Sequence, residues 1–271
     1  MVTSYQREQC LEFVKESYPN ISHAKTCNVL NCSRTNVYYT KKMPLKDLKT
    51  KEAIESVLGT TRLGRKKVIV KVLKSYPELS ASKIRRVYQN EGFSLWKRVK
   101  KRRYDNPANP IAVPLKENVE WAMDFMTDVL VNGNKFRTLN IVDQFNRKCL
   151  TIEIQPSMPA WRVINTLNQM IEKYGKPLGI RTDNGPEFTS HLFQSWLEET
   201  GVQWVKIQKG KPQQNAIIER FNRTYREDIL DANLFRTLDN VRDLTQTWIE
   251  EYNNERPHEA LNYQTPSEYA A

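Results

Sequence analysis

The fold of this chain is constrained most by three consecutive predicted strands that begin near residue 119. Residues 119–131 and 136–142 have the apolar and polar pattern of strands, and the Asn-Gly-Asn sequence at 132–134 is typical of a hairpin turn between them. Residues 150–154 alternate in the same way and predict a third strand. The chain therefore contains an antiparallel three-stranded unit that needs further elements to cover it.

Helices and strands alternate after this unit. Residues 159–174 have helical spacing, residues 178–180 form a short apolar strand, a helix is predicted near 190–200, and VQWVKI at 202–207 predicts a fifth strand. This element order indicates an α/β, ribonuclease H-like core with a mixed five-stranded sheet. In such a sheet the first strand lies beside the fourth.

The first 110 residues are strongly basic. They contain 24 Lys and Arg against 9 Asp and Glu, an excess of 15 positive charges, whereas the remainder contains 18 against 22, an excess of 4 negative charges. This asymmetry favours a basic module that binds a polyanion, joined to a module with another purpose. The proline-containing stretch YDNPANPIAVPL, residues 104–115, is interpreted as the linker between them.

The basic region is predicted to contain two helix-turn-helix domains, residues 1–45 and 46–103, ahead of a catalytic core at 116–271 with a helical C-terminal tail. Short helices separated by tight turns are typical of such DNA-binding domains. Base contacts are predicted at the start of the first recognition helix, and further DNA contacts on the second one and in the basic run that follows it. The predicted DNA-contacting residues here are Arg34, Thr35, Asn36, Lys83, Arg85, Arg86, Lys97, Arg98, Lys100, Lys101, Arg102 and Arg103.

Two carboxylates are predicted to face each other across the first and fourth strands. Asp124 lies midway along the first strand, and Asp183 directly follows the fourth, in RTDNGPEF. Asp128 points to the same face as Asp124 but lies about 13 Å further along the strand. Asp143 and Glu187 are the other candidates, and both are interpreted as less suitable than Asp124 and Asp183.

A third carboxylate is predicted on the helix that begins near Asn215. Its buried stripe is predicted to consist of Ile218, Phe221, Tyr225 and Ile229. A second strip beside that stripe carries a carboxylate, two amides and an arginine, namely Asn215, Glu219, Asn222 and Arg226. We therefore interpret Glu219 as the partner of Asp124 and Asp183.

Together these residues resemble the DDE triad of the transposase and retroviral integrase superfamily. The sequences WAMDF, RTDNGPEF, GKPQQNAIIERFN and YNNERPHEAL…TPSEY resemble the second reading frame of frameshift-type bacterial insertion sequences. The resemblance covers residues 119–271, and Lys209-Gly210 departs from the Pro-Gly common in relatives. It implies that Asp124, Asp183 and Glu219 are catalytic metal ligands and that Arg226 contacts DNA.

The resemblance also implies an activity and its partners. The chain is expected to bind the ends of an insertion element and to catalyse cleavage and strand transfer with two Mg²⁺ ions, which Mn²⁺ could replace. Double-stranded DNA from the element ends and the target, a homo-oligomer on DNA, and an upstream-frame protein or fusion are the expected partners. Further DNA contacts are predicted at Lys209, Lys211, Asn215 and Asn222, while His258 is interpreted as structural or phosphate-contacting.

Other classes of protein are less compatible with the sequence. There is no apolar run of about 18 residues, and MVTSYQREQC has no secretory stretch, so a cytoplasmic, nucleoid-associated bacterial protein without a membrane partner is expected. The four cysteines form no Cys-x-x-Cys pair, which favours buried free thiols over zinc. A non-catalytic DNA-binding regulator and a ribonuclease H-like nuclease that does not join strands remain the alternatives.

Overall fold

The computed structural model describes residues 4–31, 42–59, 63–95, 114–207 and 212–270. The chain divides into two compact units, residues 1–52 and 53–271. Several predicted DNA contacts lie outside the described residues: Arg34, Thr35, Asn36, Lys97, Arg98, Lys100, Lys101, Arg102, Arg103, Lys209 and Lys211.

The first unit contains helices α1 (Ser4–Ser17) and α2 (His23–Leu30) and the start of α3 (Lys42–Leu58). The Ser22 hydroxyl caps α2 by accepting a hydrogen bond from the backbone N–H of Lys25, and Asn31 ends the helix in the left-handed conformation at φ 48°. Leu11 and Cys27 are buried. The prediction of buried thiols is correct for Cys27 and Cys149 but wrong for Cys10, which is exposed, while Cys32 lies outside the described residues.

Two further helices, α4 (Arg65–Ser75) and α5 (Ala81–Asn90), belong to the second unit. Ser80 caps α5, because its hydroxyl accepts a hydrogen bond from the backbone N–H of Lys83. These helices share a small apolar core with the end of α3, formed mainly by Ala53, Ile54, Leu63, Val68, Val72, Ile84, Val87 and Tyr88. The N-terminal region is therefore helical.

The sheet has the predicted five strands: β1 (Glu120–Val129), β2 (Lys135–Asp143), β3 (Cys149–Gln155), β4 (Gly179–Thr182) and β5 (Gln203–Lys206). Their order is β3-β2-β1-β4-β5. The first three strands are antiparallel, whereas β4 runs parallel to both β1 and β5. The first strand thus lies beside the fourth, and the ribonuclease H-like fold class is confirmed.

Helices cover both faces of the sheet. On one face, α6 (Ala160–Tyr174), α7 (Pro186–Thr189) and α8 (His191–Thr200) pack against alternate β1 residues such as Trp121 and Met123. On the other face, α9 (Ala216–Tyr225) and α10 (Leu238–Asn254) pack against Ala122 and Met126. This alternation follows from the two-residue period of a strand.

The remaining elements complete the C-terminal half. A short 3₁₀ helix (Pro212–Asn215) precedes α9, a π-helix (Arg226–Leu230) follows it, and a second 3₁₀ helix (Glu259–Leu261) leads to α11 (Pro266–Ala270). Within the described ranges, no helix is both long enough and apolar enough to cross a membrane. On α6, Val163 and Leu167 are buried in the core, whereas Trp161 is half exposed.

Candidate active site

Asp124 and Asp183 lie at the same level of two adjacent parallel strands. Ala122 of β1 pairs with Arg181 of β4, and continuing this register by two residues places Asp124 opposite Asp183. Asp183 is the first residue after β4, and its Oδ1 accepts a hydrogen bond of 3.0 Å from the backbone N–H of Gly185. The turn thereby orients the carboxylate at the carboxyl end of β4, where open sheets commonly carry ligand sites.

Helix α9 brings Glu219 to the same region. The predicted stripe of Ile218, Phe221 and Tyr225 is buried against the sheet, which fixes the rotation of the helix. Asn222, one turn after Glu219, donates a hydrogen bond of 2.7 Å from Nδ2 to Oδ2 of Asp124. The face of α9 that carries Glu219 is therefore attached directly to the Asp124 side chain.

The electrostatics of Asp124 also connect the three carboxylates. The pKa of Asp124 is raised to about 6, chiefly by burial and also by the charges of Asp183 and Glu219, while the backbone N–H of Phe125 and the Asn222 amide oppose the rise. Carboxylates that repel each other in this way form an attractive site for a hard divalent cation, which prefers oxygen ligands. A bound cation would remove the repulsion that acts on Asp124.

The three side chains are not arranged around a preformed metal position. Among the residues that the structure describes, no group of three or more His, Cys, Asp or Glu side chains has the geometry to hold a metal ion. Asp124 and Asp183 each accept hydrogen bonds from backbone N–H groups. Side-chain rotation would be needed for all three carboxylates to reach one ion.

The other candidate carboxylates have structural partners. Asp143 is buried and accepts hydrogen bonds from the backbone N–H groups of Asn118 at 2.7 Å and Phe145 at 2.8 Å. Glu187 forms an ion pair with Arg137 of β2. Asp128 lies near the end of β1 and pairs with Arg226 at 3.3 Å. Each therefore has a role in the fold that does not require a metal.

The strip predicted on α9 changes at Arg226. A continuous α-helix was predicted here, but the π-helix begins at Arg226 and alters the helical register. Besides Asp128, Arg226 contacts the backbone oxygen of Thr127 at 3.0 Å and the carboxylate of Asp231 at 3.6 Å. These partners were not predicted: Thr127 and Asp128 belong to β1, and Asp231 follows the π-helix.

Asn215 and Asn222 are both buried in this structure. The Asn222 Oδ1 accepts a hydrogen bond of 2.7 Å from Asn140 while its Nδ2 bonds to Asp124. On the basic helix α5, Arg85 is exposed, and Lys83 and Arg86 are partly exposed. The described DNA-contact candidates thus divide into buried amides beside the carboxylates and basic side chains at the surface.

Arg181 is a site residue that sequence reasoning missed. It is buried and forms an ion pair with Glu120 at 2.5 Å across β4 and β1. Its Nη1 also donates a hydrogen bond of 2.8 Å to the backbone oxygen of Gln214, just before α9. Arg181 therefore ties the strand that ends at Asp183 to the segment that leads to Glu219. A charged residue inside the short strand before Asp183 was the available signal.

Comparisons with known proteins agree with this arrangement. Two Integrase core domain families match the chain, one over residues 114–212 and one over residues 200–266. The chain is 32% identical over 253 residues to an uncharacterized 31.7 kDa protein of insertion element IS407 from Burkholderia multivorans, which covers 93% of this chain and 91% of the relative. It is 27% identical to the putative transposase InsK of element IS150 from Escherichia coli, over 57% of this chain and 55% of the relative.

A solved structure shows the same fold. A chain in the cryo-EM structure of the simian T-cell lymphotropic virus intasome, in complex with PP2A regulatory subunit B56 gamma, aligns with a TM-score of 0.51. The sequence identity is 18%, and the alignment covers 77% of this chain and 70% of that chain.

Proposed function

Because this chain belongs to the insertion-element transposases with an integrase core, the DDE transposases of the integrase superfamily, we propose that Asp124, Asp183 and Glu219 form its catalytic centre. The chain is a transposase and a polynucleotidyl transferase. The main observation behind this assignment is that Asp124 and Asp183 lie opposite each other on adjacent parallel strands. Asn222 of α9 also donates a hydrogen bond to Asp124.

Each carboxylate has a defined part in this proposal. Asp124 and Asp183 come from rigid elements of the sheet, whereas Glu219 comes from the helix packed over them. Two Mg²⁺ ions, or Mn²⁺ in their place, would hold the attacking and leaving oxygens in line when bound. Asn222 keeps Asp124 oriented and favours its ionised form.

The reaction would proceed in two displacements on DNA. Water attacks a phosphodiester at the element end, the P–O bond to the leaving strand breaks, and a 3′-hydroxyl is released. That hydroxyl then attacks a second phosphodiester, so that one P–O bond forms as another breaks. Neither step requires a covalent bond between protein and DNA.

We further propose that the helical region recognises the element ends. The basic charge of residues 1–110 suits contacts with phosphates, and the exposed cations of α5 suit a DNA-facing helix. Assignment of residues 1–45 and 46–103 as helix-turn-helix domains, assembly of several copies on DNA, and cooperation with an upstream-frame protein are parts of the same proposal.

A single-turnover assay tests the catalytic assignment. Labelled duplexes that carry the element ends are incubated with Mg²⁺, and both cleaved and joined products are quantified. Asp124→Asn, Asp183→Asn and Glu219→Gln should each abolish both products while leaving duplex binding nearly unchanged. Asp243→Asn, which alters an exposed carboxylate on α10, is the matched control and should retain activity.

The products also separate the alternatives. Cleavage without joining would identify a nuclease, and duplex binding without either product would identify a regulator. Near-normal joining by any one of the three variants would remove that residue from the proposed centre.

A further inference from the structure

A cavity of about 340 Å³ lies beside α9, in the second compact unit. Its lining comes from four parts of the chain: Lys67 of α4, Arg147 of the β2–β3 turn, Arg220 of α9, and Arg256 and His258 after α10. The aromatic rings of Phe221 and Tyr252 complete the wall. Successive residues of an α-helix point about 100° apart, so Arg220 is directed to a different side of α9 from Glu219.

The cavity carries an excess of positive charge. Four permanently or normally cationic side chains line it, namely Lys67, Arg147, Arg220 and Arg256. Two carboxylates offset them: Asp228 pairs with Arg256 at 2.5 Å, and Glu259 lies at the lining and pairs with Lys66 at 2.6 Å. Counting the four lining cations against Asp228 and Glu259 leaves two positive charges in excess, or three when Lys66 is included.

Three nitrogens at this cavity are buried without a hydrogen-bond partner among the described residues. They are Nε of Arg147, Nε of Arg256 and Nε2 of His258. Arg256 is only 7% exposed, so its unpartnered Nε cannot be explained by contact with bulk solvent. The two arginine nitrogens are N–H donors, and an unpaired buried donor costs roughly 1–3 kcal/mol. Water could bond to such nitrogens, but it would not neutralise the excess charge.

The pKa values of Lys67 and His258 reflect both burial and the positive charges around them. The pKa of Lys67 is lowered to about 8, chiefly by burial and also by the charges of Arg256 and Arg220. The pKa of His258 is lowered to about 3, chiefly by burial and also by the charges of Lys67, Arg256 and Arg147, so its imidazole is neutral near pH 7. The lysine and arginine side chains repel one another, and an anion among them would relieve that repulsion.

Ion pairs along α4 keep Lys67 at the cavity. Lys66 pairs with Glu259, Lys71 pairs with Glu255 at 3.3 Å, and Lys74 pairs with Glu268. All three acidic partners lie at the end of α10 or in the C-terminal segment after it. The excess of cations is therefore fixed by the fold.

We propose that this cavity is a phosphate-binding site, separate from the carboxylate centre, in which Lys67 and Arg220 hold one phosphate group beside the other cations of the lining. A phosphodiester of bound DNA and free inorganic phosphate share this chemistry. Arginine and lysine bind phosphate through charge-assisted hydrogen bonds. A phosphate there joins α4 to α9 and so couples the helical region to the helix that carries Glu219.

The first test measures inorganic phosphate binding by the full chain in EDTA, which removes divalent cations and so prevents catalysis. Calorimetry gives the affinity, and NMR titration gives the pKa of the His258 imidazole. Saturable binding that raises this pKa is expected. Arg220→Gln and Lys67→Gln should each weaken phosphate binding about tenfold, as expected for loss of a charge-assisted bond. Their matched controls, Arg223→Gln and Lys173→Gln, alter exposed cations outside the lining and should change it less than about twofold.

The second test identifies the source of the phosphate. If Arg220→Gln and Lys67→Gln also weaken duplex binding more than their controls do, and phosphate competes with the duplex, the occupant is a DNA phosphodiester. If duplex binding follows the controls while phosphate binding falls, the occupant is a free anion. Either result supports the site.

Two results would overturn the proposal: no saturable phosphate binding, or equal weakening by all four variants, which would indicate diffuse electrostatics. Melting curves for each variant show whether it is folded. Asp124→Asn should bind phosphate like the unaltered chain, so failure of the proposed catalytic centre and failure of this site are distinguishable.

Discussion

Asn222 donates a hydrogen bond of 2.7 Å to Asp124, and its own amide oxygen accepts one of 2.7 Å from Asn140. These contacts link Asn140 of β2 to Asn222 of α9, and Asn222 to Asp124 of β1. Because Asn140 occupies the amide oxygen of Asn222, the amide NH₂ is the group that faces Asp124. Asn222 thus holds α9 in place and supports the ionised form of a buried carboxylate.

Asn222→Leu should move the pH dependence of strand transfer. Loss of this donor raises the pKa of Asp124 above its present value of about 6, since the hydrogen bond from Asn222 now lowers it. Metal binding requires the ionised carboxylate, so activity should rise with pH at a higher pH than in the unaltered chain. Single-turnover rates between about pH 5 and 9 check this. Asn240→Ala, an exposed change on α10, should leave the profile in place; an unshifted profile in Asn222→Leu would contradict the role.

Asp124→Asn should stabilise the metal-free protein at neutral pH. The pKa of Asp124 is raised to about 6 in the folded state from its ordinary value of 3.8, so the folded state binds the proton more tightly. The unaltered chain therefore loses stability as pH rises from about 4 to about 6. The gain from Asp124→Asn at pH 7 should be about 1–3 kcal/mol, and it should be small at pH 4.

Urea unfolding in EDTA at pH 4 and pH 7 measures this difference. Asp128→Asn is the matched control on the same strand. Because the charge of Asp128 is paired with Arg226, its ionised form does not destabilise the fold, and the substitution should bring no gain in stability at pH 7. An Asp124→Asn protein that is less stable than the unaltered chain at both pH values would show that its hydrogen bonds outweigh the cost of burial.

The sequence predicted the placement of the carboxylates because it depends on periodicity and strand order. The buried stripe of α9 follows from helical spacing, and the pairing of β1 with β4 brings Asp124 beside Asp183. Periodicity sets the spacing of a stripe but not its rotation, so the helical spacing of α6 does not show that Trp161 is half exposed while Val163 and Leu167 are buried. The π-helix at Arg226 has no periodic signal, so the partners of Arg226 were missed.

Contacts between distant segments were not predictable in this way. The Arg181–Glu120 pair joins residues 61 positions apart, and the cavity at Arg220 draws its lining from four parts of the chain. No spacing within one element indicates that such groups meet. Only the packing of α4 and the C-terminal segment around α9 brings them together.

Arg181→Met should unfold more easily and also join strands more slowly. The change leaves Glu120 partly buried without its cation, and breaking such a buried pair costs about 3–5 kcal/mol. It also removes the bond to the backbone oxygen of Gln214 that positions the segment before α9. Urea unfolding and single-turnover joining per folded molecule measure the two effects.

The double variant Arg181→Met/Glu120→Leu separates these effects. It removes both charges, so much of the lost stability should return. The bond to Gln214 stays absent, so joining should remain slow. Full recovery of joining in the double variant would show that Arg181 acts only through stability.

To bind a DNA phosphate, the Arg226 side chain must first break its ion pairs with Asp128 and Asp231. Asp128 and Asp231 lie 3.3 and 3.6 Å from its Nη1, and its side chain is 38% exposed. Such partly exposed pairs contribute only about 0–1 kcal/mol to stability, so Arg226→Ala should unfold almost as the unaltered chain does. Strand joining should nevertheless fall because DNA is held less firmly beside α9, and Arg226→Lys should recover part of the loss, since a point charge replaces a planar fork.

The same competition gives Asp128→Asn an opposite effect. Removing this carboxylate frees Arg226 from its nearer partner, so duplex binding should tighten a few-fold, whereas Asp239→Asn, which alters an exposed carboxylate paired with Arg242, should leave it unchanged. Fluorescence anisotropy with a labelled element-end duplex in EDTA measures both variants without cleavage. Because salt weakens phosphate contacts, the gain should shrink as ionic strength rises. Two results together would contradict this role: a markedly lower melting temperature of Arg226→Ala with normal joining per folded molecule, and unchanged duplex affinity of Asp128→Asn. Arg226 would then only stabilise the contact between the end of β1 and the π-helix, and it would not bind DNA.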